Sequence, residues 1–280
     1  MLSFTPRSML FVSGEKTDRF AKAMASGADL VCIDLEDAVH PDRKAEARAQ
    51  VLHWLRDNPG APGGPRRALR TNGLRTLEGL RDLLALAESG LALDVLLLPK
   101  VEAAADLQTV HAWMPPQVAS LVALLETPGA IEDARAIGQA GGRLGALMLG
   151  GADLTAELGA RLDWDGVYGA RSRLVNAARA AGVQAWDVPY LDYADGAGLE
   201  AETRRVIGLG FDCKTAIHPQ QLAPIHAAFR PGDAELQWAQ ALLAALPPGG
   251  GSGAFLFQGR MVDAPVIRRA QRIAERGNRN

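Results

Sequence analysis

Residues 120–154 have the sequence SLVALLETPGAIEDARAIGQAGGRLGALMLGGADL, which contains two strand-to-helix units in succession. In the first unit, the apolar run Leu121–Leu125 has the length of a buried strand and is followed by Glu126–Gly129 and a helical pattern. In the second unit, Leu144–Leu149 is followed by Gly150–Asp153 and a second helical pattern. Alternating strands and helices favour a parallel sheet, so this stretch predicts an α/β fold.

Each of these units places one carboxylate, Glu126 or Asp153, at the end of its strand. Functional groups of α/β folds gather at the carboxyl ends of parallel strands. Because Mg²⁺ is commonly held by one or two carboxylates and several waters, the pair predicts a Mg²⁺ site. Gly150, Gly151 and Ala152 would offer backbone N–H groups to a substrate carboxylate. In the alternative interpretation, Glu126 is a turn residue and Asp153 only caps a helix.

The composition is that of an ordinary globular protein. The chain has 280 residues, of which 48% are hydrophobic, and a formal net charge of -2. It lacks the basic excess of nucleic-acid-binding proteins, so we expect no nucleic-acid partner. No apolar run approaches membrane-spanning length, so we also expect no membrane association. Cys32 and Cys213 lie in apolar runs, which favours a reduced cytoplasmic compartment over a disulfide framework.

The rest of the chain repeats the strand-to-helix pattern until eight units are present. The predicted strands are Ser8–Val12, Leu30–Ile33, Ala68–Thr71, Val95–Leu98, Leu121–Leu125, Leu144–Leu149, Gln184–Trp186 and Cys213–Ile217. Eight such units predict a (β/α)₈ TIM barrel, with a doubly wound open sheet as the alternative. Polar residues follow most of the strands, and only a barrel would bring them to one mouth. An insertion-like segment, Arg161–Tyr168, is expected before a helix over Gly169–Ala181.

The C-terminal part predicts a separate region. We expect the barrel domain to cover residues 1–230 and a lid region to cover residues 231–280, with a helix at Ala234–Leu246 and a Gly-rich hinge at Pro247–Gly253. The apolar side chains of Phe255, Phe257 and Met261 favour a lid that closes over its own or a neighbouring barrel. A disordered linker followed by a surface helix is the alternative.

Eight short motifs, in order along the chain, carry a resemblance to a known family. They are Arg7–Gly14, Asp34–Val39, Arg70–Asn72, Pro99–Lys100, Leu125–Thr127, Gly150–Leu154, Gly210–Lys214 and Ile217–Pro219. Through them the chain resembles the citrate lyase β-subunit-like, or HpcH/HpaI aldolase, superfamily of acyl-CoA lyases. Ser13, Thr71 and Cys213 depart from residues common in that family, and none of these departures removes a charged group.

The resemblance implies a TIM barrel, Mg²⁺ on Glu126 and Asp153, and CoA thioesters of 3-hydroxy acids, or the 2-oxo acids they release, as substrates. The segment Gly259–Asp263 resembles the lid of malyl-, citramalyl- and β-methylmalyl-CoA lyases. In those enzymes an acid from one subunit completes the neighbour's site. A homo-oligomer with a shared lid, either a trimer or a dimer of trimers, is therefore expected.

Within this resemblance, four residues are expected to act in catalysis. Arg70 would hold the thioester oxygen and stabilise the enolate, and Asp263 would donate a proton to that enolate. Glu36 and Asp37 would bind metal-bound waters or orient Arg70. The alternatives are a surface position for Arg70, an N-cap role for Asp263 and an exposed turn for the two acids.

Three basic residues are predicted to contact the phosphates of CoA: Arg7, Lys16 and Lys22. For the two lysines, the alternative is a solvated helix surface. His218 is interpreted as a structural residue at a strand end. The sequence contains no Gly-x-Gly-x-x-Gly fingerprint, serine-centred elbow or Cys/His metal cluster, which disfavours hydride transfer and serine hydrolysis.

The leading functional hypothesis is a Mg²⁺-dependent lyase that cleaves citramalyl-CoA or malyl-CoA into acetyl-CoA and a 2-oxo acid. Enzymatic alternatives are the citryl-thioester lyase subunit of a larger complex, a malyl-CoA thioesterase and a CoA-independent aldolase of 2-oxo acids. A regulatory protein that binds acyl-CoA without catalysis is the alternative from another class.

Overall fold

The computed structural model describes residues 2–246 and 254–277, and its main feature is a closed barrel of eight parallel strands in sequence order. The strands are β1 Ser8–Ser13, β2 Leu30–Asp34, β3 Arg66–Arg70, β4 Leu93–Leu98, β5 Val118–Leu125, β6 Leu144–Leu149, β7 Gln184–Asp187 and β8 Cys213–Ala216. Closure comes from parallel pairing of β8 with β1. The prediction of a (β/α)₈ barrel is confirmed.

Helices connect the strands, as a parallel sheet requires. They are α1 Phe20–Met24, α2 Lys44–Asp57, α3 Leu77–Ser89, α4 Ala104–Trp113, α5 Pro128–Glu132, α6 Ala134–Gly138, α7 Gly151–Leu158, α8 Trp164–Ala181, α9 Gly196–Leu209 and α10 Leu222–Phe229. Short 3₁₀ turns cover Thr17–Arg19, Pro41–Arg43 and Pro219–Gln221.

Apolar side chains from all eight strands fill the barrel interior. Met9, Leu30 and Val95 are fully buried there, together with Trp186 of β7. The strands read as nearly continuous apolar runs because helices cover their outer faces. The packed interior fixes the strand ends, so polar residues that follow the strands are held on a rigid scaffold.

One local prediction is wrong. The segment Arg161–Tyr168, expected to be an insertion, contains the first turn of α8, which begins at Trp164. The side chain of Asp163 caps this helix by accepting a hydrogen bond from the N–H of Gly166 at 3.0 Å. The cap starts the helix five residues earlier than the apolar periodicity indicates, in spite of two glycines in its first turns.

The chain divides into two compact units within α10, one ending at Ile225 and the other beginning at His226. The second unit contains α11 Asp233–Ala244, the antiparallel hairpin β9 Phe255–Phe257 and β10 Arg260–Val262, and α12 Ala264–Gly277. Its core is formed by side chains from α11, β10 and α12, including Leu242, Val262 and Ile267. The predicted hinge Pro247–Gly253 lies outside the described residues.

Within the described part of the chain, none of the helices combines the length and the hydrophobicity needed to cross a membrane.

Candidate active site

A cavity of about 1010 Å³ opens at the carboxyl ends of the barrel strands. The structure brings nine of the predicted site residues to its wall: Lys16, Lys22, Asp37, Arg70, Glu126, Gly150, Gly151, Ala152 and Asp153. The cavity is large enough for an extended small molecule. The sequence-based grouping of strand-end residues is therefore found at one mouth.

Arg70, the last residue of β3, is held by two acids. Its Nε and Nη2 donate to the two oxygens of Asp34 at 2.7 and 2.5 Å, and its Nη1 lies 2.9 Å from Oε2 of Glu36. Burial opposes its charge, but the carboxylates outweigh this and raise the pKa of Arg70 far above its usual range. Arg70 is therefore a permanently charged, rigidly oriented cation on the cavity wall.

Glu36 lies behind this cation rather than on the cavity wall. It is 4% exposed, and burial raises the pKa of its carboxyl while Arg70 opposes that rise. Its other oxygen, Oε1, lies 3.0 Å from the ammonium of Lys100. Glu36 thus lies between two cations, and its role in orienting Arg70 stays a prediction.

Glu126 follows β5 and is 4% exposed. Burial, then the negative charges of Glu36 and Asp153, raise the pKa of its carboxyl to about 8. A side chain at Gly150 would collide with it, since a Cβ atom there would lie 2.1 Å from Cγ of Glu126. Gly150 therefore provides the space that the Glu126 carboxylate occupies. The negative charges around Glu126 outweigh the positive charges of the neighbouring Arg70 and Lys100.

Asp153 enters the cavity from the first turn of α7, which begins at Gly151 rather than at the predicted Leu154. Its side chain is 43% exposed and lies 3.5 Å from the Lys100 ammonium. Gly151 packs closely on an apolar wall, because a Cβ atom there would meet Leu162 at 2.9 Å and Val188 at 3.1 Å. The first turn of α7 thus carries Asp153, and Leu162 and Val188 form an apolar wall against Gly151.

This donor set fits a hard divalent cation that keeps positions free. Among residues 2–246 and 254–277 there is no group of three or more His, Cys, Asp or Glu side chains arranged to hold a metal by themselves. Two carboxylates suit Mg²⁺, whose other positions are commonly taken by water and substrate oxygens. The raised pKa of Glu126 indicates that added positive charge would be stabilising there.

The rim of the cavity carries further charges. Lys16 and Lys22 are exposed, and Arg19 lies between them in sequence and also lines the cavity. Asp37 is exposed on the same wall, and the described residues show no ion pair for it. Three cations on one side of the opening suit a phosphate-bearing ligand.

The two remaining predicted site residues are Arg7, at the other end of the barrel, and Asp263, which belongs to the second unit. Arg7 precedes β1 at the amino-terminal end of the barrel, where it pairs with Asp29 at 2.8 Å. Its predicted contact with CoA phosphates at the mouth is therefore wrong: a residue before a strand points to the opposite end from residues after it. Asp263 lies in the second unit, where it is exposed and caps α12 through the N–H of Val266 at 3.4 Å.

Two residues of the site, Asp34 and Lys100, are predicted from the sequence only as strand-end polar residues that converge at the mouth, without a role of their own. Asp34 is the register neighbour of Arg70 in the β2–β3 pair, and this pairing explains their contact. Lys100 follows β4 directly after Pro99 and has a backbone φ of 53°. Strand-end position was the available signal for both, because each is the polar residue closest to the end of its strand.

The sequence profile of the HpcH/HpaI aldolase/citrate lyase family matches residues 7–219, the part of the chain that forms the barrel and its cavity. The chain belongs to this family. Every strand-end acid and cation described above falls within the matched range of the HpcH/HpaI family. Asp263 falls outside it.

Two relatives and one solved structure illustrate the similarity. Human mitochondrial citramalyl-CoA lyase is 32% identical, over 95% of this chain and 83% of the human protein. The L-malyl-CoA/beta-methylmalyl-CoA lyase of Cereibacter sphaeroides is 33% identical, over 95% of this chain and 93% of its own. The crystal structure of Mycobacterium tuberculosis CitE in complex with magnesium, acetoacetate and coenzyme A has a TM-score of 0.82 and 35% identity, covering 99% of each chain.

Proposed function

We propose that this protein is a Mg²⁺-dependent carbon–carbon lyase that cleaves a 3-hydroxyacyl-CoA thioester, of the citramalyl-CoA or malyl-CoA type, into acetyl-CoA and a 2-oxo acid. The observation that carries the proposal is the convergence of Arg70, Glu126 and Asp153 on one cavity. The lyase names of the two relatives and the ligands of the CitE complex support it.

In the cleavage step the hydroxyl group loses its proton to solvent, the C2–C3 bond breaks, and the hydroxyl carbon becomes the carbonyl of the 2-oxo acid. The electron pair of the broken bond remains as a thioester enolate, which is then protonated to acetyl-CoA. Mg²⁺ bound by Glu126 and Asp153 would supply Lewis acidity toward the hydroxyl and carboxylate oxygens of the substrate. Arg70 stabilises the enolate oxygen, because its hydrogen bonds to Asp34 occupy only two of its five N–H donors and leave others for the substrate. The backbone N–H groups at the start of α7 suit the substrate carboxylate.

Asp263 is proposed as the proton donor to the enolate, brought to a barrel by closure of the second unit over its own barrel or over that of a neighbouring subunit. We expect Asp263→Asn to lower kcat by about 10²–10⁴-fold, the usual range for a lost general acid. Asparagine still caps a helix, so the stability of α12 is retained. Parallel measurement of kcat and of the thermal melting temperature checks both statements, and a fully active Asp263→Asn variant would exclude this role.

The apolar wall beside Gly151 bears on the choice among 2-oxo acids. Leu162 and Val188 offer contact to a methyl group and no partner for a second carboxylate. We therefore expect faster release of pyruvate from citramalyl-CoA than of oxaloacetate from citryl-CoA, because an unpaired carboxylate against an apolar wall loses its hydration.

The test measures pyruvate, glyoxylate and oxaloacetate released from citramalyl-CoA, malyl-CoA and citryl-CoA, each with Mg²⁺ and with EDTA. Metal-dependent release of a 2-oxo acid together with acetyl-CoA is the expected result. Free CoA without acetyl-CoA would identify a thioesterase instead. If none of the thioesters reacts although Mg²⁺ binds, the lyase proposal is wrong.

A further inference from the structure

Lys100 contacts three acids of the site: Glu36, Glu126 and Asp153. Its ammonium lies 3.0 Å from Oε1 of Glu36 and 3.5 Å from Oδ2 of Asp153. Its backbone N–H donates to Oε2 of Glu126 at 3.0 Å. Lys100 therefore contacts both proposed metal ligands. Its backbone N–H binds Glu126, and its ammonium group lies beside Asp153.

The backbone of Lys100 is held in an unfavourable conformation. Its φ of 53° lies in the left-handed region, which the described residues outside glycine adopt only here and at Gln258. Such conformations are costly for residues with a Cβ atom and persist where surrounding contacts enforce them. Here the left-handed backbone turns the N–H toward Glu126 while the side chain reaches Glu36 and Asp153.

The two cations of the site differ in how firmly they are held. Arg70 is 13% exposed and grips Asp34 with two parallel hydrogen bonds. The Lys100 side chain is 46% exposed and makes single contacts to each acid. A lysine ammonium is a point charge on a flexible stem, so it can leave one carboxylate and turn to solvent at low cost.

We propose that the Lys100 ammonium is an internal counter-ion for Asp153, and that a divalent cation must displace it from this carboxylate in order to bind. This inference rests on the metal-binding part of the proposed function. Without the metal, the ammonium offsets repulsion between the acids. With the metal, it repels the bound ion and so weakens metal affinity.

Removing the lysine charge is therefore expected to strengthen Mg²⁺ binding. Isothermal titration calorimetry at fixed ionic strength compares the wild type with Lys100→Met, which retains the length of the side chain. We expect Mg²⁺ to bind Lys100→Met about tenfold more tightly, because a unit positive charge a few ångströms from the ion repels it. Lys100→Arg, which retains the charge, is expected to stay near the wild-type affinity.

Lys22→Met is the matched control. It removes one lysine charge from the wall of the cavity that Glu126 and Asp153 also line, and Lys22 makes no ion pair with these acids. Its Mg²⁺ affinity is expected to stay within about twofold of the wild type, since an exposed and distant charge is screened by salt. A tenfold change in Lys22→Met as well would attribute the effect to overall charge and overturn the proposal.

A second measurement separates this role from a purely structural one. Without metal, Lys100→Met is expected to melt at a lower temperature than the wild type, and saturating Mg²⁺ is expected to raise its melting temperature by more. If Lys100 only supports the fold, Mg²⁺ affinity will fall or stay unchanged, and that result overturns the proposal. Lys100→Gln repeats the test with a side chain that can still hydrogen-bond Glu36.

The lyase assay keeps the two proposals distinguishable. If the wild type is active as a lyase but neither Lys100→Met nor Lys100→Gln binds Mg²⁺ more tightly, the counter-ion role alone is overturned. If both variants bind Mg²⁺ more tightly but the wild type is inactive on all three thioesters, the counter-ion role is supported and the lyase proposal is overturned. Absence of Mg²⁺ binding by the wild type overturns both.

Discussion

Arg70→Met is expected to lower kcat/KM for 2-oxo acid release by about 10²–10³-fold, the usual effect of losing a donor that stabilises a developing oxyanion. Methionine has a similar length but no charge and no N–H groups. The enolate oxygen would then lose its cationic partner, whereas Mg²⁺ affinity should not fall, because Glu126 and Asp153 are unchanged and a nearby positive charge is removed. Kinetic measurement with saturating Mg²⁺ tests this expectation.

A stability effect accompanies the kinetic one and has to be measured separately. Asp34 is 2% exposed and loses its bidentate partner in Arg70→Met. Breaking a buried ion pair costs about 3–5 kcal/mol, so the variant should melt earlier than the wild type. Asp34→Asn is the comparison, because it weakens the same pair but leaves the cation of Arg70 in place.

Comparing Arg70→Met with Asp34→Asn distinguishes a role of Arg70 in catalysis from a role in stabilising the fold. If Arg70 acts on the substrate, Asp34→Asn retains far more activity than Arg70→Met at a similar loss of stability. Equal activities of the two variants, at equal folded fractions, would assign Arg70 a structural role instead.

The fold was predictable because the strands of a (β/α)₈ barrel are apolar on both faces, and this property is visible in the sequence. Runs such as Leu144–Leu149 are apolar on both faces, which is what a strand between a packed interior and a layer of helices requires. The start of α8 was not predictable from periodicity, since the Asp163 cap and not apolar spacing sets it. Helix termini depend on single hydrogen bonds, and these leave a weak trace in the sequence.

The candidate site was predictable to the extent that strand ends converge. Glu126 and Asp153 follow adjacent strands, and their meeting at one mouth follows from parallel pairing of β5 with β6. Arg7 was placed wrongly because it precedes its strand, so the same geometry sends it to the other end of the barrel. For a barrel, the side of the strand on which a residue lies is decisive.

Lys100 shows what sequence position alone does not provide. Its place after β4 was visible, but its contact with Glu126 depends on a left-handed backbone at a residue other than glycine. Nothing in the local sequence specifies that conformation, since surrounding contacts enforce it. Asp34 was similarly visible as a strand-end acid, while its partner Arg70 became evident only from the β2–β3 register.

Glu126→Gln is expected to abolish Mg²⁺ binding at millimolar metal and to lower activity by about 10³-fold or more, since the metal and its Lewis acidity are lost together. Glutamine retains an oxygen that can accept the Lys100 N–H, so the local backbone should be retained. Calorimetry and the lyase assay test both statements. Glu102→Gln is the matched control, because Glu102 accepts a hydrogen bond from Thr127 nearby but does not line the cavity.

The same variant is expected to make the metal-free protein more stable at alkaline pH. The pKa of Glu126 is raised from 4.5 to about 8, so the folded chain holds this proton at pH values where the unfolded chain has lost it. The free energy of unfolding of the wild type therefore falls as the pH rises through that interval, whereas Glu126→Gln lacks this contribution. At pH 9, without metal, Glu126→Gln should melt at a higher temperature than the wild type, and the difference should vanish near pH 4. An unchanged or lower melting temperature at pH 9 would contradict the burial and the crowding of negative charge that raise the pKa of Glu126 and on which its proposed binding of Mg²⁺ depends. A higher melting temperature would show that burying the Glu126 carboxylate costs stability in the metal-free protein.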